Sequence, residues 1–312
     1  MNQGRTEDAV VILALSLTPG MGNTRVNQTL ALAQCCGWDI PQLRQVSNPS
    51  FLRRVLEQDA AIAAQLRHCE AALFEKAQAY ISRALARGLQ VLHILEDAYP
   101  QSIRMHLGAA APPVLFLWGN AALVHATAGA VVGTRNPSPG GIRAAGKAAR
   151  TIVARATSLV SGGAAGVDRA GHDAALKTKS NTVVLLPQGI LSWSLPGSWR
   201  SAFGAGRIAV LSACLPDAPW QTHAAVSRNA LISAMAQVVC VVEPRKQGGS
   251  IQTTRHAVGQ GKPVFVEPLD ALPVSLRVQA RPLHALTAVL PELDLERMLR
   301  EKNDGNRQRD LF

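Results

Sequence analysis

Three stretches of this chain set glycines, a hydroxyl side chain and a cation where an apolar run gives way to a helical pattern. They are "VVGTRNPSPGG" (131–141), "LVSGGAAGVDRAGHDAAL" (159–176) and "EPRKQGGSIQTTRHA" (243–257). In the first, Gly133 permits close approach of another group, Arg135 leaves the strand end, and Ser138 with Pro139 can open a helix. In the second, Ser161, Gly162, Gly163 and Gly166 precede Asp168 in the first helical turn. In the third, Gly248 and Gly249 precede Ser250, the expected N-cap. A helix start presents unpaired N–H groups and the positive end of the backbone dipole, so each loop is a candidate seat for an anion. Singly, each is a common tight turn. Together on one sheet edge, with Arg135, Arg245, Lys246 and Arg255 near them, they predict a phosphate-binding rim.

Other chemistries fit less well. A dinucleotide site needs G-x-G-x-x-G and an acid at the end of the next strand, but Gly162-Gly163-x-x-Gly166 is off that pattern and the next strand ends in "LLPQG". Gly141-I-R-A-A-Gly146-Lys147 matches the spacing of a P-loop. However, Ala148 stands at the magnesium-binding hydroxyl position and the glycines fall inside an amphipathic helix, so ATP hydrolysis by this motif is excluded. Asp168 and His172 lie one helical turn apart; Asp168 suits the helix dipole, as a structural cap, and His172 shares a face with Ala165 and Leu176. No nucleophile–base pair or carboxylate pair can be assembled from spacing. The expectation is therefore no catalytic residue, no metal site and no cofactor.

The elements that must carry these loops show in the hydrophobic pattern. Short apolar runs at 130–133, 158–161, 182–187, 207–212, 238–243 and 263–266 read as strands, and 141–154, 165–177, 228–236 and 251–259 read as helices. Such alternation predicts βαβ units, a Rossmann-like parallel sheet covered on both faces, and ligands at the carboxyl ends of its strands. Residues 9–88 read as helices, with one long helical stretch from 51 to 87 closed by Gly88. Before it, Pro19-Gly20-Met21-Gly22 is a turn of helix-hairpin-helix type, or an ordinary turn between two helices. The expected fold class is α/β: a small N-terminal helical domain (1–88), a Rossmann-like domain (89–268), and a C-terminal helix and flexible tail (269–312).

Charge is unevenly placed. The formal net charge is +11, and residues 126–268 hold 15 Lys/Arg against 5 Asp/Glu. Concentrated on the block with the glycine loops, that excess is the signature of a polyanion binder; the competing reading is a solvated basic face. Hydrophobic residues make up 47% and charged residues 17%, as in a globular protein, and no apolar run approaches the ~18–20 residues that span a bilayer. The opening "MNQGRTEDAV" lacks the basic-then-apolar order of a signal peptide. Five cysteines without a C-x-x-C pair predict free thiols in a reducing compartment. A cytoplasmic protein with no membrane partner is expected.

The order "GTRNPSPGG", "LVSGGAAGVDRAGHDAAL", "SRNALISAMAQVVCVVEP", "GGSIQTTRHAVGQGKPVFV" resembles the DprA/Smf family of DNA-processing proteins over roughly 90–268, and "LALSLTPGMGNTRVNQTLALA" resembles that family's small helical domain. The resemblance implies an extended Rossmann fold that binds single-stranded DNA, assembles as a homodimer and helps load the RecA recombinase without enzymatic turnover. Position by position it points to Gly133, Thr134 and Arg135, to Ser161, Gly162, Gly163, Gly166 and Asp168, to Arg228 and Asn229, and to Gly249, Ser250 and Thr253.

Departures are visible. The aromatic-Pro-x-Arg-Asn-Arg stretch of the family is "AAVSRNA" here, Arg200 in "SLPGSWRSAF" stands where the family has a lysine, and no room is expected for the winged-helix domain of many members. Trp193 and Trp199 are the candidates for base stacking, with Trp220 a weaker one. Gln308, Asp310, Leu311 and Phe312 resemble the short peptide by which bacterial proteins grip the replicative sliding clamp. Two other readings stay open. One is an antitoxin or sensor paired with a cognate toxin in phage defence. The other is a nucleotide phosphoribohydrolase-like enzyme, although that class's glutamate is missing from "QGGSIQTTRH".

Overall fold

The structure is a computed structural model that describes residues 3–45, 49–245 and 248–289. The chain forms two compact units, the first made of Met1–Tyr99 and Leu107–Leu117. It holds α1 (Gln3–Leu17), α2 (Asn23–Cys35), α3 (Pro49–Gln58), α4 (Ala60–Leu66) and α5 (Ala71–Ala86), then β1 (Gln90–His93), which pairs antiparallel with β2 (Val114–Gly119). The single helix expected over 51–87 is broken twice. Asp59 leaves the helical conformation and its carboxylate accepts the amides of Ala61 and Ile62 at 2.9 and 3.0 Å, starting α4 afresh. Gly88 ends α5 in a left-handed conformation, φ +74°, as its spacing implied. Gly20 turns the chain between α1 and α2 at φ +76°, and Arg25 donates to its carbonyl at 2.8 Å.

The second unit holds Pro100–His106 and the chain from Trp118 onward. Its strands are β3 (Ala128–Gly133), β4 (Ser158–Ser161), β5 (Asn181–Leu186), β6 (Ile208–Ser212), β7 (Ala236–Val242), β8 (Val264–Glu267) and β9 (Ala280–Pro282). They run β6-β5-β4-β3-β7-β8-β9, and the pairings from β6 to β9 are parallel. The helices here are α6 (Gln101–Leu107), α7 (Pro139–Val153), α8 (Val167–Lys177), α9 (Arg200–Gly204), α10 (Thr222–Met235) and α11 (Gly249–Gly259), followed by the short α12 (Val274–Arg277) and α13 (Leu286–Val289). The strands β4, β6 and β7 are buried at every residue, the mark of a parallel sheet covered on both faces. This is the expected α/β architecture, with two additions. The helix α10 begins six residues before the apolar pattern suggests, and β9, only three residues long, continues the sheet past 268.

From β3 the chain builds outward through β4, β5 and β6, then crosses to the other flank of β3 with β7. The strand order therefore reverses between β3 and β7, where an open α/β sheet leaves a crevice at its carboxyl edge. Gly133 lets these strands close up, because a Cβ there would strike the Val242 carbonyl and the Val167 side chain. Among the described residues no helix is long and apolar enough to cross a membrane.

His172 of α8 lies in the core beside β5, fully buried. The Thr182 hydroxyl donates to the Leu159 carbonyl at 3.0 Å, so it accepts from Nδ1–H of His172 at 2.6 Å, leaving Nε2 without a partner among the described residues. A charged ring would bury an unsatisfied N–H, and burial pushes the His172 pKa down to about 3. The folded chain refuses a proton that the unfolded chain accepts, so stability is lost as pH falls below about 6.5. Through this group alone the loss between pH 7 and pH 5 should be about 2 kcal/mol. Urea unfolding of His172→Leu at both pH values should show that much less pH dependence; an undiminished difference refutes the assignment.

Candidate nucleic-acid interface

The crevice at the carboxyl ends of β3 and β7 is a cleft of about 460 Å3. Thr134 and Arg135 line it from the end of β3, Arg228 and Asn229 from α10, and Arg245, Gly248, Gly249, Ser250, Gln252 and Thr253 from the third loop and the start of α11. Thus the first and third glycine loops, 110 residues apart in the chain, meet because β3 and β7 are neighbours. The lining carries three arginines and a single carboxylate, Asp168, which is buried. Trp220, 46% exposed, stands at the same wall with the Arg135 guanidinium 5.6 Å from its ring centroid. That aromatic–cation pair is the cleft's accessible stacking surface.

The three helix starts differ in what fills them. At α7 the Ser138 hydroxyl caps Gly141 N–H at 3.0 Å while both its amide and its hydroxyl donate to the Glu243 carboxylate. Glu243 adopts φ +45° and lies over this helix start, so a carboxylate of the chain already occupies it. At α8 the Asp168 carboxylate accepts from Gly162 N–H at 3.2 Å, and the amides of Ala164 and Gly133 also favour its charge. Both α8 and α11 begin at a glycine without a side-chain cap, but at α8 the first amide, Val167 N–H, is taken by the Thr134 carbonyl at 3.1 Å. At α11, Gly248 is the N-cap, in extended backbone, and no described side chain bonds to the turn. Of the expected three-site rim, one seat is open.

Arg228 and Asp168 form the floor. Both are buried; Arg228 Nη1 donates to the Leu185 carbonyl at 3.1 Å and lies 4.0 Å from Asp168 Oδ2. Burial raises the Asp168 pKa against the pull of Arg228, and lowers that of Arg228 against the pull of Asp168. Gly162 is glycine because a Cβ there would fall on the Arg228 guanidinium. The Nε of Arg228 is buried without a hydrogen-bond partner among the described residues.

Several sequence-predicted site residues are placed elsewhere. Ser161 is fully buried and its hydroxyl donates to the Val131 carbonyl at 2.6 Å, a contact inside the sheet. Gly163 and Gly166 take φ +67° and +82°, and a Cβ on Gly166 would hit the carbonyls of Thr134 and Arg135, so both serve the turn itself. Ser250 and Thr253 do line the cleft, but Ser250 is buried in the first turn of α11 and is not its N-cap, and the Thr253 hydroxyl donates back to the Gly249 carbonyl at 3.1 Å. Trp199 cannot stack on a base: it is 2% exposed, donates to Asp173 at 2.6 Å, and has His172 at its edge and the Arg169 guanidinium 4.5 Å from its ring centroid. Trp193 is half-buried against it, 6.4 Å away, and like the exposed Arg200 it does not line the cleft. The exposed Arg255 and half-buried His256 are not part of the lining either. Lys246, Gln308, Asp310, Leu311 and Phe312 lie outside the described residues. Trp220 was underweighted in the sequence because nothing local to "PDAPWQ" shows that it faces Arg135.

The family model described as DNA recombination-mediator protein A matches residues 90–282, the stretch that holds every wall of the cleft. DNA processing protein DprA of Bacillus subtilis is 26% identical over 246 residues, covering 78% of this chain and 82% of that protein. Protein Smf of Escherichia coli is 31% identical over 163 residues, covering 50% of this chain, and the match spans less than half of the relative, 42%. The X-ray structure of DNA processing protein A from Streptococcus pneumoniae superposes with a TM-score of 0.68 at 22% identity, over 90% of this chain and 97% of that one; it shows a shared fold.

Proposed function

Since this chain belongs to the DNA recombination-mediator protein A family, we propose that its cleft grips the sugar–phosphate backbone of single-stranded DNA and that it acts by binding rather than by turnover. The observation that carries this reading is the uncapped start of α11 facing the Arg135–Trp220 pair. One phosphate sits on the amides of Gly249 and Ser250, where the helix dipole favours negative charge. The exposed guanidiniums of Arg135 and Arg245 hold its neighbours along the strand, and a base stacks on Trp220. These contacts read backbone and ring faces, not base edges, so binding tolerates many sequences. The Asp168–Arg228 pair positions the floor. Delivery of the bound strand to a RecA-type recombinase and assembly as a homodimer extend this proposal. A cytoplasmic setting agrees with cysteines that are all free.

Fluorescence anisotropy of labelled oligo-dT and of duplex DNA, at several salt concentrations, tests the reading. Arg135→Ala should weaken oligo-dT binding and lower the slope of log affinity against log salt by about 0.7, the contribution of one phosphate contact on a single strand. Trp220→Ala should leave the slope intact and cost about 1–3 kcal/mol. Equal affinity and slope in wild type and Arg135→Ala would contradict the site.

A further inference from the structure

A second basic feature lies between α7 and α8, outside the cleft: a groove of about 670 Å3. Arg143, Lys147 and Arg150 fall at spacings of four and three residues, hence on one face of α7, and Lys177 joins them from the end of α8. All four are exposed, and none has an ion-pair partner among the described residues. Arg169 also lines the groove, but Asp173, 3.0 Å away, pairs with it. The floor is Gly146, Ala170 and Ala174, where the helices pack closely enough that a Cβ on Gly146 would lie 3.7 Å from Ala174 Cβ. The stretch with P-loop spacing thus supplies one floor residue of this groove, Gly146, and two of its cations, Arg143 and Lys147. Like charges four residues apart on an exposed helix repel one another, and a bound polyanion removes that repulsion.

We infer that this groove is a second track for the DNA backbone, taking the strand as it leaves the cleft. The inference rests on the proposed single-strand binding and adds a path to it. Continuity supports the path: Gly166, at the groove's upper end, packs against the Thr134 and Arg135 carbonyls at the cleft's rim. The helix α8, with 11 residues, runs roughly 16 Å, room for several phosphates. No aromatic ring lines the groove, so the contact is electrostatic and indifferent to sequence.

The test uses the full chain and the triple variant Arg143→Gln, Lys147→Gln, Arg150→Gln, whose exposed positions leave the melting temperature near that of wild type. Anisotropy titrations compare an oligo-dT of roughly 6 nucleotides, enough for the cleft, with one of roughly 30 that also covers the groove. The expected result is unchanged affinity for the short strand, with at least a tenfold loss for the long one and a salt slope lower by about 2. If the variant keeps wild-type affinity and slope for both lengths, the track is refuted while the cleft stands. Failure of the wild type to bind either length refutes the single-strand reading and this one with it. Poly-glutamate bound by wild type but not by the variant, with DNA affinities unaltered, overturns the track in favour of an acidic protein partner.

Discussion

An aspartate at Gly248 should weaken single-stranded DNA binding by at least about a hundredfold while the protein stays as stable as before, or slightly more so. Gly248 is the N-cap of α11, its backbone is extended at φ +166°, and among the described residues nothing lies within 4 Å of where its Cβ would be, so a side chain fits without strain. Aspartate is among the preferred N-caps, and its carboxylate would accept the amides of the first turn and satisfy the dipole, a gain of about 0.5–1 kcal/mol in the free protein. The same carboxylate then fills the seat proposed for a phosphate and repels the incoming strand, and like charges brought together in an interface cost several kcal/mol. Thermal melting and anisotropy read the two effects separately. Gly248→Asn, which caps without charge, should lose markedly less affinity. Undiminished DNA binding by Gly248→Asp would move the phosphate away from α11.

Removing Arg228 should instead damage the fold. Arg228→Met deletes a buried guanidinium that bonds the Leu185 carbonyl and offsets the Asp168 charge, leaving a buried carboxylate uncompensated. Breaking a buried pair from one side costs about 3–5 kcal/mol. Urea unfolding should show that loss, and Asp168→Asn in the same chain should restore part of it, because the stranded charge is gone. The outcome that would reassign Arg228 is a loss of under about 1 kcal/mol in stability alongside collapsed DNA affinity. It would then be a DNA ligand whose pairing with Asp168 is incidental. The sequence placed Arg135 and Arg228 together as phosphate contacts, and the structure separates them into an exposed arginine and a buried one.

What local physics dictates was legible. Continuous apolar runs can only be strands buried on both faces, so β3 through β8 fell close to their expected limits, and β4 at them. Gly88 at the end of α5 and Ser138 at the start of α7 follow from the short-range needs of helix ends. Asp168 was read as a cap for the same reason, but its carboxylate accepts from Gly162 N–H in the loop before α8, and α8 itself starts at Gly166 without a side-chain cap. Within 51–87 a uniform helical composition hid two breaks, because a cap such as Asp59 differs from a surface acid only in backbone conformation.

By itself, then, the order of residues determined the α/β class, the loops after β3, β4 and β7, and the concentration of positive charge around them, since each depends on neighbours a few positions apart. Which of those loops could receive a ligand was decided by the tertiary structure. The strand order brings the ends of β3 and β7 together, tips Glu243 onto the start of α7, and leaves α11 uncovered. It also buries Trp199 and Ser161 while holding Trp220 against Arg135. Accessibility belongs to the packed chain: the same serine, tryptophan or arginine is a ligand group at a surface and a structural one in a core, and only the packing distinguishes them.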